Sequence, residues 1–415
     1  MNIIIFIKEF NKLSKFIEIK NELYIKINPK SCINDSIDFI NNIIKLYKKQ
    51  IKNIRIIFDE SINIFISNYI LTKLHDLLYE YPDISKYILT LENAANETKY
   101  LMNELTLYKN IVINPNKNPE LYCKYILSRI PNYYNTKIFN LKNTDLFSLT
   151  KAVGAGSIYD SYFLHIFPKN DDINKKNIYL IGKSVTYDTG GLNLKSRGME
   201  EMKTDMAGSA IMVSVLNLLN INNIDIKFNI HVFIPVVENM ISNTATKPGT
   251  VIKTMNNKLV EIYDTDAEGR LCIADAIEYI NLNLRKENSL IIDIATLTGN
   301  TVYITGGVSS ITTCNASGYE YINKLIDIGN NIDEYVDYLQ LRKEYLNTSE
   351  SKVAHISNIN TNLKCGCMTA AAFLNYFNIN NIPWIHIDVG SCVYIKQEIK
   401  SYGINLLFEF IKSII

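Results

Sequence analysis

Four apolar runs, at 178–181, 228–237, 290–295 and 384–389, constrain this chain most. They are nearly continuous in Ile, Val, Leu and Phe rather than alternating with polar residues. A strand buried on both faces reads this way. The runs end at Gly-rich or acidic segments, and helical patterns at 207–219 and 271–284 lie among them. Alternating strands and helices imply an α/β fold: a mixed, mostly parallel sheet flanked by helices. In such sheets ligands gather at the carboxyl ends of the strands. The loops that follow the apolar runs are therefore where chemistry is expected.

The first part of the chain has the same texture on a smaller scale. Ile37, Ile40, Ile44 and Tyr47 recur at helical spacing, 54–58 is a β-branched run, and Ile70, Leu71, Leu74, Leu77 and Leu78 are helical again. We expect a small N-terminal α/β domain over 1–91, one connecting helix over 92–110 and a larger C-terminal domain over 111–415. Lys and Arg total 43 against 42 Asp and Glu, which gives no electrostatic case for nucleic acid or an anionic membrane. The apolar run at 3–7 is broken by Lys8 and Glu9, too short for a signal peptide. No run of wholly apolar residues approaches the ~20 that span a bilayer. A cytoplasmic protein is expected. The seven cysteines include no CxxC pair, and Cys365-Gly366-Cys367 reads as two reduced thiols in a loop.

Two segments carry most of the chemical signal. The first runs from Gly182-Lys183 through Asp188-Thr189-Gly190-Gly191 to Lys195, and on to Met202-Lys203-Thr204-Asp205. The second is Asp264-Thr265-Asp266-Ala267-Glu268-Gly269-Arg270. Asp188, Asp205, Asp266 and Glu268 together would repel one another if unpaired, and two divalent cations would balance their charge. Carboxylates shared between two ions are the usual architecture of a two-metal hydrolase. Lys183 and Lys195 belong to the same set. One of them can ligate metal as the free amine, and the other can stay charged and stabilise an oxyanion.

Look-alike motifs fail on inspection. Gly182-Lys183-Ser184 resembles the end of a phosphate loop, but Asn177 stands where that loop needs its first Gly. Gly154 and Gly156 open a dinucleotide pattern that Tyr159 breaks. Asp264, Asp266, Glu268 and Asp275 imitate a calcium loop, but 258–263 alternates like a strand where a helix is required. His75, His165, His231, His355 and His386 form no HExxH pair, and His386 and Trp384 read as structural.

Both signature segments resemble those of the leucyl aminopeptidase family, in the same order and with similar spacing. Further matches are Glu238-Asn239-Met240, Lys247-Pro248-Gly249, 293–299, 369–374 and 384–388, and the resemblance covers about 100–415. It implies a metal-dependent exopeptidase that hydrolyses the N-terminal residue from peptides. Lys183, Asp188, Asp205, Asp266 and Glu268 would hold two divalent ions, zinc foremost, with manganese, cobalt or magnesium as alternatives. Lys195 would be the catalytic lysine. Arg270, with Leu297 nearby, would hold a bicarbonate serving as general base. Met202, Thr296 and Gly299 would line the pocket for the first side chain. Asp264, where the family usually has Asn, would add charge beside the substrate. Asn300 replaces a usual small residue. The assembly implied is a homohexamer of two trimers. The alternatives are an inactive scaffold that keeps the fold and a two-metal phosphoryl-transfer enzyme.

Overall fold

The computed structural model describes residues 96–347, 349–359, 364–395 and 398–414. In the first 95 residues it describes five strands, residue 68 and the helical stretch 71–76. The chain divides into two compact units, Met1–Leu107 and Tyr108–Ile415.

The first unit holds a five-stranded sheet of β1 (Asn2–Ile7), β2 (Phe16–Ile19), β3 (Glu22–Ile27), β4 (Asn53–Phe58) and β5 (Ile88–Glu92), in the order β2-β3-β1-β4-β5. All neighbours are parallel except β2 and β3. The run read at 54–58 is β4. Of the second helical pattern, 71–76 is helical with Leu71 and Leu74 buried, whereas the pattern at 37–47 lies outside the described residues. The connecting helix α1 spans Asn96–Ile113 rather than 92–110, because residue 92 still pairs as the end of β5.

The second unit is built on a nine-stranded sheet. Its strands are β6 (Tyr134–Asn140), β7 (Tyr162–Pro168), β8 (Asn177–Gly182), β9 (Ser184–Asp188), β10 (Asn229–Asn239), β13 (Ser289–Ala295), β14 (Ser309–Cys314), β15 (Tyr335–Tyr338) and β17 (Trp384–Asp388). The order is β15-β14-β17-β13-β8-β10-β7-β6, with β9 also paired to β10. Five of the eight pairings are parallel; the antiparallel ones join β6 to β7, β7 to β10, and β14 to β17. The sheet is thus mixed and mostly parallel, as the apolar runs imply. A small sheet of β11 (Thr250–Lys253), β12 (Leu259–Ile262) and β16 (Ile356–Ser357) lies in the same unit.

Every residue of β8, β10, β13 and β17 is buried, which is why these strands read as unbroken apolar runs. Tyr179 and Ile181 of β8, Phe233 of β10 and Ile291 of β13 share one core with Leu271, Ile273, Ile277 and Ile280 of helix α5 (Gly269–Asn283). The chain between carries α2 (Pro119–Arg129), α3 (Ser148–Val153) and α4 (Ala207–Ile221). Helix α4 packs on β8 and β13 and against a late helix, Ile404–Ser413. Its approach is close: a Cβ on Gly182 would fall 2.5 Å from Ser209 Cα, so any side chain there would push α4 off the strand. Helical stretch Met199–Ile221 is long and apolar enough to cross a membrane, but most of its apolar part is buried inside the protein, as befits a core helix.

After α5 come α6 (Ile322–Asn331), α7 (Gly366–Asn375) and the late helix α8 (Ile404–Ser413). Helix α7 corrects one reading. Cys365-Gly366-Cys367 is not wholly loop: Gly366 opens the helix, and Cys367 is buried in its first turn. The calcium-loop imitation also dissolves, since strand β12 precedes it and α5 begins inside it.

Candidate metal centre

Strands β8, β9, β10, β13 and β17 run in one direction, and their carboxyl ends converge. Lys183 follows β8, Asp188 ends β9, Asn239 ends β10, Thr296 and Leu297 follow β13, and Asp388 ends β17. Register fixes this: Ile294 pairs with Gly182, Ala295 with Asp388, and Asn239 with Asp188. The second signature segment joins from the turn between β12 and α5, which puts Asp266 and Glu268 just before the helix.

The outcome is a cavity of ≈ 160 Å³ lined by Lys183, Asp188, Lys195, Asp205, Asp266 and Glu268, with Met202, Thr296, Leu297, Gly299 and Tyr394 also in its wall. One oxygen each of Asp188, Asp266 and Glu268 lies within 4.8 Å of the others. The Lys183 amine lies 2.8 Å from Asp205 Oδ1, 2.8 Å from Glu268 Oε1 and 2.8 Å from the Thr296 carbonyl oxygen. The Lys195 amine lies 2.8 Å from Asp188 Oδ2 and 2.5 Å from Asp266 Oδ1. Gly269 leaves room for this pairing: a Cβ there would meet Lys183 Cε at 2.4 Å.

Two amines face four carboxylates, so negative charge is in excess. The titration directions follow. Burial pushes the Asp188 carboxyl up to about 7, with Glu268 adding to the rise and the lysines opposing it. Burial likewise raises Asp205 well above the carboxylate range. For Lys183 burial opposes the charge, but Asp205, Glu268 and Asp188 overcome it and hold the amine above the ordinary lysine value. Lys195 behaves the same way against Asp188 and Glu268. Glu268 is the exception among the acids, since Lys183 and Lys195 together outweigh its burial and lower it. Buried Asp205 Oδ2 has no hydrogen-bond partner among the described residues. A buried oxygen without a partner, hard oxygen donors close together and surplus negative charge fit divalent cations.

Arg270 and Asp264 are not in the cavity wall. Arg270 is buried on the first turn of α5 and donates from Nη1 to the Asn358 carbonyl oxygen at 2.9 Å; burial lowers its pKa to about 10, against Glu268, Asp264 and Asp388. Asp264 Oδ1 accepts from the Asp266 amide at 2.9 Å, bracing the loop that carries Asp266 and Glu268. Thr296 donates its hydroxyl to Asp205 Oδ1 at 2.9 Å, and the Leu297 amide donates to Asp388 Oδ1 at 3.1 Å. His386 Nδ1 lies 2.5 Å from Asp293 Oδ1, whose other oxygen accepts from Trp384 Nε1 at 2.7 Å, and none of the three lines the cavity.

Three residues around the site carry no role in the sequence reading. Asn239 Nδ2 donates to Asp188 Oδ1 at 2.7 Å and to the Thr265 carbonyl at 3.0 Å. Asp388 accepts from the Leu297, Thr298 and Gly390 amides and from the Thr298 hydroxyl. Fully buried Asn358 accepts from the Tyr263 and Asp264 amides and donates to the Asp264 and Ala267 carbonyls. Asn239 and Asp388 fall inside quoted motifs. Asn358 has no motif, and only its contacts reveal it.

Comparison with known proteins gives a concordant result. The family model for the cytosol aminopeptidase family, catalytic domain, matches residues 116–407. A probable cytosol aminopeptidase of Protochlamydia amoebophila is 34% identical over 302 residues, 70% of this chain and 59% of the relative. One of Prochlorococcus marinus is 34% identical over 333 residues, 77% and 66% of the two chains. The cytosol aminopeptidase of Rickettsia prowazekii is 31% identical over 333 residues, 76% and 65%. This chain therefore spans about 59 to 66% of the length of these relatives.

Proposed function

This chain belongs to the cytosol aminopeptidase family, and from that premise we propose that it is a metal-dependent aminopeptidase that removes the N-terminal residue from peptides. The observation that supports this best is the cavity where Asp188, Asp205, Asp266 and Glu268 meet the amines of Lys183 and Lys195.

Lys183, Asp188, Asp205, Asp266 and Glu268 would hold two divalent ions. Zinc leads the candidates, ahead of manganese, cobalt and magnesium. Such ions, when bound, polarise a carbonyl oxygen, lower the pKa of a water and offer a ligand position to a free α-amine. Lys183, with Asp205 and Glu268 on either side, would give up its proton to become a ligand. Lys195 contacts two of the acids from the more open side of the cavity. It would keep its proton and donate to the oxygen that gains charge as the peptide carbonyl is attacked. Arg270, with the Leu297 segment, would hold a bicarbonate, which supplies a general base when bound. Met202, Thr296 and Gly299 would contact the first side chain. Asp264 would act through the loop it braces, as well as by its charge. By the same premise we propose a cytoplasmic homohexamer.

The test is hydrolysis of a panel of aminoacyl amides with zinc, manganese, cobalt or magnesium added. Release of the free amino acid with at least one metal, abolished by chelation, is expected. Metal binding without hydrolysis of any amide would overturn the enzymatic reading and leave a scaffold.

A further inference from the structure

Cys365 and Cys367 lie outside the cavity and have no part in the proposed chemistry. Both are free thiols, and their sulfurs lie 3.9 Å apart. Cys365 is the half-buried residue before α7, and Cys367 is buried in its first turn. Burial, then the neighbouring Cys365, pushes the Cys367 thiol up to about 12. The pair therefore has an accessible member and a protonated, sheltered one.

Gly366 between them touches a second element. A Cβ at Gly366 would lie 2.6 Å from Asn300 Nδ2, so the Asn300 side chain rests against this glycine. Asn300 Oδ1 is buried without a hydrogen-bond partner among the described residues. Asn300 belongs to the 3-10 turn Gly299–Thr301, and Gly299 is part of the cavity wall. A shift of the backbone at 365–367 has a direct contact through which to reach that wall.

We propose that Cys365 and Cys367 form a reversible disulfide whose closure drives Gly366 against Asn300 and moves the Gly299–Thr301 turn beside the cavity. The effect on turnover rests on the aminopeptidase reading; the bond and the movement do not. The sulfurs must approach from 3.9 Å to about 2.05 Å. Closure between residues two apart makes a small, strained ring, and strained disulfides are the readily reduced, regulatory kind.

The oxidant is a low-molecular-weight disulfide of the glutathione class. The Cys365 thiolate attacks one of its sulfurs, forming a mixed disulfide and expelling one small thiolate, which takes up the proton Cys365 released. Cys367 then loses its proton and attacks Cys365 Sγ. The mixed bond breaks, and the second small thiol leaves with that proton. The two cysteines lose two electrons together, and the small disulfide gains them.

The test uses the full, metal-loaded chain in buffers of graded oxidised-to-reduced glutathione ratio. Peptide mass mapping should find two hydrogens lost and one bond joining Cys365 to Cys367. Hydrogen exchange of the 298–301 amides should change with the same midpoint. For aminoacyl amides, kcat/KM should fall on the order of ten-fold, within the roughly 100-fold that a 1 Å misplacement can cost, and a dithiol should restore it. C365S and C367S should keep the reduced chain's activity and lose the response. A stable glutathione adduct on Cys365, or a bond to another cysteine, overturns the pairing. A mapped Cys365–Cys367 bond with unchanged exchange at 298–301 overturns the coupling, whether or not the chain hydrolyses amides. Changed exchange with unaltered kcat/KM in a chain that hydrolyses them overturns the effect on turnover.

Discussion

Replacing Asn358 by Ala tests how the loop that carries Asp266 and Glu268 is held. The side-chain amide makes four hydrogen bonds to the backbone of that loop. It accepts from the Tyr263 amide at 2.9 Å and the Asp264 amide at 3.2 Å, and donates to the Asp264 carbonyl at 2.7 Å and the Ala267 carbonyl at 3.3 Å. Each buried bond of ordinary length is worth about 1 kcal/mol net, and leaving its partner unsatisfied costs about 1 to 3 kcal/mol. The two long bonds count for less, so the loss is about 2 to 4 kcal/mol in total. The backbone bonds of Asn358 to Arg270 and Glu261 survive the change. Part of the loss should appear in the metal-free fold and part in metal binding, because the loop must then be ordered by the ions. Urea unfolding with and without saturating metal separates the two, provided the slope against urea is unchanged. We expect a lower midpoint in both states and metal affinity weaker by roughly ten-fold or more, which corresponds to about 1.4 kcal/mol. A variant within about 0.5 kcal/mol of the parent, the range of ordinary surface changes, with unaltered metal affinity would refute the clamp.

Other substitutions separate the roles of the charged residues. Lys195→Ala should keep its metal and lose about 100- to 1000-fold in kcat, whereas Asp205→Ala should lose affinity for one ion and recover partly in excess metal. Comparable metal loss in both, by elemental analysis, would undo the assignment of Lys195. Gly269→Ala should fold but bind metal poorly, since its Cβ would displace Lys183 Cε from 2.4 Å; normal metal affinity in a titration would show that Lys183 has room to move. His165 Nε2 and His231 Nδ1 lie 3.1 Å apart, and burial lowers their pKa values to about 3 and about 4. Lys137 and Arg285 oppose their charge as well, and Asp171 favours it on His231. Both pKa values are depressed by folding, so the neutral pair contributes stability that is present above 6.5 and lost as pH falls through about 4 and then about 3. Urea midpoints should fall over that window, and by less in a chain carrying His165→Phe with His231→Phe; parallel curves would contradict this.

The sheet was legible because β8, β10, β13 and β17 are buried on both faces and so lack polar interruptions. The carboxylates and lysines of the cavity were legible because they stand in two local segments with their glycines. What escaped depends on distant partners. Asn358 binds a loop 91 to 95 positions earlier, and nothing beside it in sequence announces that contact. Asp388 sits at the end of an apolar strand, where its four donors are supplied by residues 297–298 and 390. The antiparallel edge strand β6 carries mixed polar and apolar residues with no clear periodicity. The loop reading of Cys365-Gly366-Cys367 misses that Gly366 serves as the first residue of α7.

An aminopeptidase site acts on peptides through a free N-terminus. The most direct measurement compares one peptide in two forms, with its amine free and with it acetylated, incubated with the metal-loaded chain. Stepwise release of the first residue from the free peptide is expected, with no cleavage of the acetylated one. Equal cleavage of both, or internal cleavage of either, would contradict it.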